Sequence, residues 1–164
     1  MVSKTSSKKS PSKASAASFQ LLDSQLCFAL YSASLTMTKI YKPLLEQFGL
    51  TYPQYLVMLV LWETNELSVS ALGERLYLDS GTLTPLLKRM ETLGFVQRRR
   101  DAADERRVVV SLTPDGAALK QAAVTVPVDL MSTTGCSLGE LGELTQRLQA
   151  LRTSMAAHLN ASGA

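Results

Sequence analysis

The sequence has few of the residues that build metal and redox-cofactor sites. Its 164 residues include two cysteines and one histidine, so one chain cannot form an ordinary Cys/His zinc site. It also lacks the GxGxxG and GK[ST] motifs that accompany dinucleotide and nucleoside triphosphate sites. We therefore expect no metal, no cofactor and no enzymatic activity.

Long apolar runs and an export signal are missing as well. No segment approaches the roughly 18 consecutive apolar residues of a membrane-spanning helix, and residues 1–18 have lysines but no apolar core typical of a signal peptide. We expect a soluble, cytoplasmic protein without a membrane partner. Residues 1–18 are interpreted as a disordered basic tail, which either attracts nucleic acid nonspecifically or only increases solubility.

The two cysteines, Cys27 and Cys136, lie far apart in a chain without export features. A permanent structural disulfide is therefore not expected, whereas a transient redox pair remains open.

The hydrophobic content of 46% fits one globular domain.

Helical periodicity dominates the N-terminal third of the sequence. Apolar residues at three- and four-residue steps predict a helix over residues 19–42, which Pro43 should bend or end. Thr51 followed by Gln54 forms a capping pattern that predicts a second helix over residues 52–62.

Two short helices follow in close succession. Ser68 is placed to cap a helix over residues 69–76, and Asp79 or Ser80 to cap another that ends before Gly94. Two helices joined by so short a turn have the geometry of a helix-turn-helix, whose second helix enters the DNA major groove.

An arginine-rich hairpin comes next. Residues 95–99 and 107–112 read as two strands joined by a polar turn at 100–106. Five arginines fall between Arg98 and Arg107, partly balanced by acidic residues of the turn, namely Asp101, Asp104 and Glu105. The hairpin is either an arm that contacts DNA phosphates or the minor groove, or a solvated edge hairpin.

The C-terminal part is predicted to be helical again. Thr113-Pro114 opens a helix that Pro127 should kink, residues 132–137 form a loop, and a leucine stripe marks a last helix over residues 138–159. With the N-terminal helix, this stripe completes either a monomeric bundle or, as we favour, a homodimer interface. The predicted regions are a tail (1–18), a dimerisation helix (19–50), a DNA-binding region (51–113) and C-terminal dimerisation helices (114–160).

This order of elements, together with several motifs, resembles the MarR family of bacterial transcription regulators. The motifs are Gly49-Leu50-Thr51-x-x-Gln54, Leu72-Gly73-Glu74-Arg75-Leu76, Thr82-Leu83-Thr84-x-Leu86-Leu87-Lys88-Arg89-Met90-Glu91 and Asp101-x-x-Asp104-x-Arg106. The resemblance implies a mainly α winged helix-turn-helix fold with a small β-hairpin, in which the terminal helices form a dimerisation bundle.

A narrower resemblance surrounds the first cysteine, in Leu26-Cys27-Phe28-Ala29-Leu30-Tyr31, Tyr41-Lys42-Pro43 and Leu50-Thr51-Tyr52-Pro53-Gln54. These segments are similar to the OhrR branch, the organic hydroperoxide resistance regulators. The resemblance implies that Cys27 is the peroxide-reactive thiol and Cys136 the resolving thiol of the two-cysteine class. It also implies that three tyrosines hydrogen-bond to the reactive thiol, namely Tyr31, Tyr41 and Tyr52.

Helix geometry divides these tyrosines between two chains. Tyr31 is four residues from Cys27 and shares its helix face. Tyr41 would lie about 21 Å along an unbroken helix, so it can reach Cys27 only from an antiparallel partner chain. The sensing site is therefore expected to span the dimer interface, with Tyr52 joining from the same partner.

The resulting hypothesis is a repressor that binds pseudo-palindromic double-stranded DNA and is induced by organic hydroperoxides. The residues expected to contact DNA are Ser80, Thr82, Thr84, Lys88, Arg89 and Arg106. Two alternatives stay open, a repressor released by a reversibly bound phenolic or drug-like ligand and a thiol peroxidase that uses both cysteines. Cys27 could also be an inert core cysteine, and Cys136 a stray loop thiol.

Overall fold

A computed structural model describes residues 20–162 of the chain. The helices of this part are α1 (Leu26–Glu46), α2 (Tyr52–Glu63), α3 (Val69–Leu76), α4 (Ser80–Thr92), α5 (Pro114–Ala122), α6 (Val126–Thr134) and α7 (Leu138–Ser162). The strands are β1 (Leu67–Ser68), β2 (Val96–Arg100) and β3 (Val108–Leu112). Single turns of 3-10 helix cover Leu22–Ser24 and Ala123–Thr125.

The chain divides into two compact units, residues 1–39 and residues 40–164. The described part of the first unit contains the 3-10 turn and most of α1. The predicted basic tail, residues 1–18, lies outside the described residues. Within the first unit several apolar side chains are exposed to solvent, namely Leu21, Leu22, Leu26, Tyr31 and Leu35.

Helix α2 lies at the centre of the core of the second unit. Half of its side chains are buried, including Tyr55, Met58 and Leu61, because α2 is apolar around its circumference rather than along one stripe. Helix α4 packs against this core through one face only, with Leu83, Leu87 and Met90 buried. The opposite face of α4 therefore stays free to meet a partner.

The sheet has three antiparallel strands in the order β1-β3-β2. Strand β2 pairs with β3 along its whole length, from Val96 opposite Leu112 to Arg100 opposite Val108. The short strand β1 was not predicted, and it adds to the other edge of β3 with Leu67 opposite Val110. The predicted hairpin is thus confirmed and gains a third strand.

The first long helix has different ends from those predicted. It begins at Leu26 rather than at Phe19, which itself lies outside the described residues, and it continues through Pro43 to Glu46. The proline removes one backbone hydrogen bond, but Leu45 just beyond it is fully buried, and this packing holds the last turn. The end has Schellman geometry, since Gly49 has a φ of 65° and Leu50 N–H donates to the Leu45 carbonyl at 3.2 Å.

The helix predicted to kink at Pro127 breaks earlier instead. Helix α5 ends at Ala122, and α6 begins at Val126 after one turn of 3-10 helix. Pro127 lies in the first turn of α6, where its missing N–H costs no hydrogen bond. The predicted loop at 132–137 shrinks to residues 135–137, because α6 continues to Thr134 and α7 begins at Leu138.

The architecture confirms a mainly α, winged helix-turn-helix fold. Helices α3 and α4 form the helix-turn-helix, and strands β2 and β3 with their turn form the wing. Among residues 20–162, no helix is both long and apolar enough to cross a membrane. The same residues contain no cluster of His, Cys, Asp and Glu that could hold a metal ion.

Candidate functional site

Helix α4 begins at a well-formed cap. The carboxylate of Asp79 accepts hydrogen bonds from the Thr82 backbone N–H at 2.9 Å and from the Thr82 hydroxyl at 2.8 Å. These hydrogen bonds, the backbone one first, lower the pKa of Asp79 below its usual value. Of the two caps left open by the sequence, the structure therefore selects Asp79 over Ser80.

The outer face of α4 carries the predicted DNA-contacting residues, and all of them are exposed: Ser80, Thr82, Thr84, Lys88 and Arg89. The hydroxyls of Thr82 and Thr84 donate to Asp79 and to the Ser80 carbonyl, the latter at 2.7 Å. Their oxygens are left to accept hydrogen bonds from a partner. Lys88 and Arg89 form no ion pair with any residue in the described part of the chain, so their charges are available to phosphate.

The tip of the wing is shaped by two aspartates. Asp101 accepts from the Ala103 N–H at 2.9 Å, and Asp104 accepts from the Arg106 N–H at 3.1 Å. Asp104 also pairs with Arg106 Nε at 3.2 Å, while the Arg106 side chain remains 92% exposed. Arg106, the predicted wing contact, is thus oriented by Asp104 and still exposed to solvent.

The other wing arginines are balanced in a way the sequence did not indicate. The Glu91 carboxylate of α4 accepts from the Arg98 backbone N–H at 3.1 Å, and from Nε and Nη2 of that side chain at 2.9 and 2.5 Å. These bonds from Arg98 lower the pKa of Glu91. Arg99 pairs with Glu66. Neither partner belongs to the hairpin turn, which was expected to supply the balance.

A cleft of about 300 Å³ separates the wing from the helix-turn-helix. Its polar lining comes from Ser70, Ser80 and Thr84 on one side and from Arg106 and Arg107 on the other. Hydroxyls and guanidinium groups around an open cleft are groups that hold a phosphate. The cleft joins the exposed face of α4 to the wing as one surface.

Cys27 lies in the first turn of α1. Its side chain is a free, exposed thiol, and Tyr31 one turn further along is 61% exposed. No hydrogen bond joins the Tyr31 hydroxyl to this thiol within residues 20–162. The start of α1 at Leu26 places Cys27 in the first turn of this helix.

The other two predicted tyrosines contact each other in the second unit. The rings of Tyr41 and Tyr52 lie with centroids 4.5 Å apart, and Tyr55 lies 5.9 Å from Tyr41. Burial, followed by the influence of Tyr52 and Tyr55, raises the pKa of Tyr41 to about 12. Burial also raises the pKa of Tyr52. Both phenols are therefore protonated at neutral pH and able to donate a hydrogen bond.

Sequence reasoning gave no role to two members of this aromatic cluster, although Tyr55 directly follows the Tyr52-Pro53-Gln54 segment of the narrower resemblance. Tyr55 extends the cluster to Trp62, whose ring lies edge-on at 6.1 Å, and Trp62 Nε1–H donates to the Gly116 carbonyl at 2.9 Å. The signal was present in the sequence, because Tyr52, Tyr55 and Trp62 are spaced to share one face of α2.

Cys136 lies in the three-residue link between α6 and α7. It is a free, exposed thiol, whose backbone N–H contacts the Thr134 hydroxyl at 3.3 Å. Its Sγ lies 3.7 Å from the Thr134 carbonyl. The preceding Gly135 has a φ of 69°, which ends α6 sharply and turns the link toward solvent.

Comparison with known proteins identifies the same class of molecule. A family model described as transcriptional regulator SarA/Rot matches residues 39–123. The organic hydroperoxide resistance transcriptional regulator of Bacillus subtilis (strain 168) is 52% identical over 130 residues, which cover 79% of this chain and 88% of that protein.

Solved structures of a protein called AbfR are also similar. Its reduced, DNA-bound form matches with a TM-score of 0.75 and 36% identity, covering 84% of this chain and 94% of that one. Its disulfide form matches with a TM-score of 0.59 and 39% identity, covering 79% and 91%. These relatives are transcriptional regulators and not enzymes, and they agree with the fold and with the exposed α4. The chain belongs to the MarR-like winged-helix regulators, as a DNA-binding transcriptional regulator of the OhrR branch.

Proposed function

We propose that the protein is a homodimeric repressor that releases its DNA operator when an organic hydroperoxide oxidises Cys27. The observation that carries this proposal is the presence of two free, exposed thiols, Cys27 and Cys136, in a winged-helix regulator whose reading surface is open. A dimer would present two α4 helices to a pseudo-palindrome, with half-sites about one helical turn apart. The repressor acts on DNA, so we place it in the cytoplasm.

The proposed redox step has two stages. The Cys27 thiolate attacks the terminal peroxide oxygen, so that an S–O bond forms as the O–O bond breaks; the leaving alkoxide takes a proton from water, and the products are a Cys27 sulfenic acid and an alcohol. The Cys136 thiol of the second copy then attacks the sulfenic sulfur, forming a disulfide and expelling water. The peroxide is the oxidant throughout, and a dithiol reductant returns both cysteines to thiols.

The surroundings of Cys27 support this assignment. Cys27 lies in the first turn of α1, where its exposed thiol is accessible to an oxidant. In our proposal, Tyr41 and Tyr52 of the second copy donate hydrogen bonds to the sulfur, and Tyr31 does so from the same chain. The raised pKa of Tyr41 keeps its phenol in the donating form.

The apolar neighbours of Cys27 favour an organic peroxide over hydrogen peroxide. Leu22 and Leu26, which precede Cys27 in the chain, are 60% and 54% exposed. An alkyl or fatty-acyl chain would bury this apolar surface, with about 25 cal/mol gained per Å² removed from water. Hydrogen peroxide has no such chain and gains none of this free energy.

The DNA-binding role in our proposal is divided between α4 and the wing. Ser80, Thr82 and Thr84 would accept or donate hydrogen bonds at the major groove, and Lys88 and Arg89 would contact phosphates or base edges. Arg106 would enter the minor groove beside them. The cleft between these elements, with its hydroxyl and guanidinium groups, would provide a continuous surface for one DNA strand.

The test measures DNA release by a defined peroxide. A duplex is first selected from a random library for binding to the reduced protein, and the protein is then titrated with cumene hydroperoxide. We expect release that dithiothreitol reverses, together with a Cys27–Cys136 link between chains in mass spectra. Cys27→Ser should bind DNA and not respond, whereas Cys136→Ser should respond but over-oxidise and reverse poorly.

Two outcomes would contradict the proposal. A normal peroxide response by Cys27→Ser would remove this cysteine from sensing. A wild-type protein that stays on DNA in the presence of peroxide would instead favour release by a reversibly bound phenolic ligand, the remaining alternative.

A further inference from the structure

The residue that joins the two helices of the helix-turn-helix has an unusual backbone. Tyr77 follows α3 with φ 56° and ψ 38°, in the left-handed region that non-glycine residues seldom adopt. Its ring is large, apolar and 67% exposed. A strained position occupied by an exposed aromatic residue, where glycine would fit without strain, indicates that the ring itself has a use.

The ring of Tyr77 is in contact with the C-terminal helix. The Arg152 guanidinium of α7 lies over its face, 4.4 Å from the ring centroid, within the range of a cation–π contact. The pair stands at the rim of a cleft of about 580 Å³ between α3 and α7, which Ala71, Glu74 and Gln149 also line. The contact therefore joins α7 to the turn of the helix-turn-helix.

The turn that carries Tyr77 is closely fitted to α4. Leu78 N–H donates to the Gly73 carbonyl at 3.0 Å, and a Cβ at Gly73 would lie 2.6 Å from the Leu78 carbonyl oxygen. The next residue, Asp79, caps α4. A displacement of the Tyr77 backbone would therefore move the first turn of α4 with it.

Helix α7 also begins next to a thiol. Leu138, its first residue, follows Cys136 by two positions, and Arg152 lies about 21 Å further along the helix at roughly 1.5 Å per residue. Helix α7 thus connects the resolving thiol of the proposed function to the residue that touches the recognition turn.

We propose that Tyr77 and Arg152 are positioning residues, which couple α7 to the recognition helix α4 and hold α4 in its DNA-binding position while the thiols are reduced. This inference rests on the proposed function for its trigger, the drawing of Cys136 toward Cys27. In this proposal the contact belongs to the reduced form, before Cys136 is drawn toward Cys27. Its loss on oxidation would remove a constraint that favours DNA binding.

The experiment is a double-mutant cycle on the full-length protein, measuring the Kd for the selected duplex before and after cumene hydroperoxide. Tyr77→Leu and Arg152→Leu should each weaken binding by the reduced protein about two- to five-fold, the range of an exposed cation–π contact. The double variant should be no weaker than either single variant. After peroxide treatment, the variants and wild type should have the same Kd for the duplex. The ratio of the Kd after peroxide to the Kd before it should therefore be smaller in each variant, by the same two- to five-fold factor.

Conservative and matched variants separate coupling from general damage. Tyr77→Phe keeps the ring and Arg152→Lys keeps the cation, so both should retain most of the wild-type affinity. Arg147→Leu removes an arginine of the same helix that pairs only within α7, with Glu143, and should change nothing. If Tyr77→Leu does not fold, the test uses Arg152→Leu and Arg152→Lys, whose substitutions lie at an exposed position of α7: the first should weaken DNA binding and the second should not.

The inference is overturned if the Tyr77 and Arg152 effects add independently, if Tyr77→Phe binds as weakly as Tyr77→Leu, or if Arg147→Leu has the same effect. Its failure is distinct from failure of the proposed function. In the first case wild type still releases DNA on oxidation, and only the expected pattern of the Tyr77, Arg152 and Arg147 variants fails. In the second case wild type does not respond to peroxide, and Cys27→Ser is indistinguishable from it.

Discussion

The indole N–H of Trp62 donates to the carbonyl oxygen of Gly116 at 2.9 Å, which ties the aromatic cluster of α2 to the first turn of α5. Gly116 occupies a position where no side chain fits, since a Cβ there would lie 1.9 Å from the Phe95 carbonyl oxygen. The residue that precedes the first wing strand, the start of α5 and the aromatic cluster therefore meet at Gly116.

The first prediction concerns this meeting point. Gly116→Ala should lower the free energy of unfolding by at least about 1–3 kcal/mol, because backbone atoms must move to admit the methyl group. Urea unfolding followed by the single tryptophan measures the change. Gly142→Ala, in α7 with no atom within 4 Å of its Cβ position, is the control and should raise stability by about 0.5–1 kcal/mol. Equal stability of Gly116→Ala and wild type would contradict the prediction.

The second prediction concerns the wing. Arg106→Ala should weaken binding to the selected duplex and reduce the slope of log Kd against log salt by about one phosphate contact. Arg106→Lys should keep most of the salt slope, since the charge remains. Arg147→Ala, far from the wing in sequence and paired within α7, is the control. If Arg106→Ala binds with the same affinity and slope as wild type, the wing does not contact DNA through this side chain.

The third prediction concerns the Glu91–Arg98 pair that holds the wing to α4. The pKa of Glu91 is lower in the folded protein than its ordinary value of 4.5, so the carboxylate stabilises the fold above about pH 4.5 and ceases to do so as the pH falls through its folded value. Glu91→Gln should be less stable than wild type by about 1 kcal/mol at pH 7, an amount reduced by solvent screening.

The stability difference between Glu91→Gln and wild type should shrink as the pH falls below the ordinary pKa of 4.5 and through the lower folded pKa of Glu91, which urea unfolding at several pH values measures. Glu74→Gln, an exposed α3 carboxylate without an ion pair among the described residues, should show a smaller difference at pH 7. A Glu91→Gln difference that does not change with pH would show that the charge of Glu91 is not what holds Arg98.

The fourth prediction concerns the Tyr41 phenol. Its pKa is raised from 10.0 to about 12, so the neutral phenol stabilises the fold below pH 10, and this stabilisation is lost as the pH rises through 12. An ultraviolet difference titration of wild type against Tyr41→Phe should show the missing phenolate signal near pH 12. A missing signal near pH 10 would indicate that Tyr41 is not buried against Tyr52 in solution.

Sequence patterns predicted the elements that depend on near neighbours. The caps at Ser68, Asp79 and Thr113 form as expected, with each side chain accepting from a backbone N–H three residues later. The exposed face of α4 follows equally from the spacing of its buried residues. The order of the helix-turn-helix and wing was predicted for the same reason.

Features that depend on distant partners were not predictable in this way. Strand β1 has two residues and exists only because β3 offers it a free edge. Glu66 is remote in sequence from Arg99, and Glu91 lies on α4, a different element from Arg98. The contact between Tyr41 and Tyr52 requires α1 and α2 to fold back on one another, and periodicity alone does not specify that packing.

The internal neutralisation of the wing has a kinetic consequence. Arg98, Arg99 and Arg106 each face a carboxylate of the same chain, so the wing projects a much weaker long-range field than its composition suggests. Electrostatic steering accelerates encounter only when such a field extends into solvent. Discrimination between the correct and incorrect DNA sites should therefore reside in how long the complex survives, and only slightly in how often the two molecules collide.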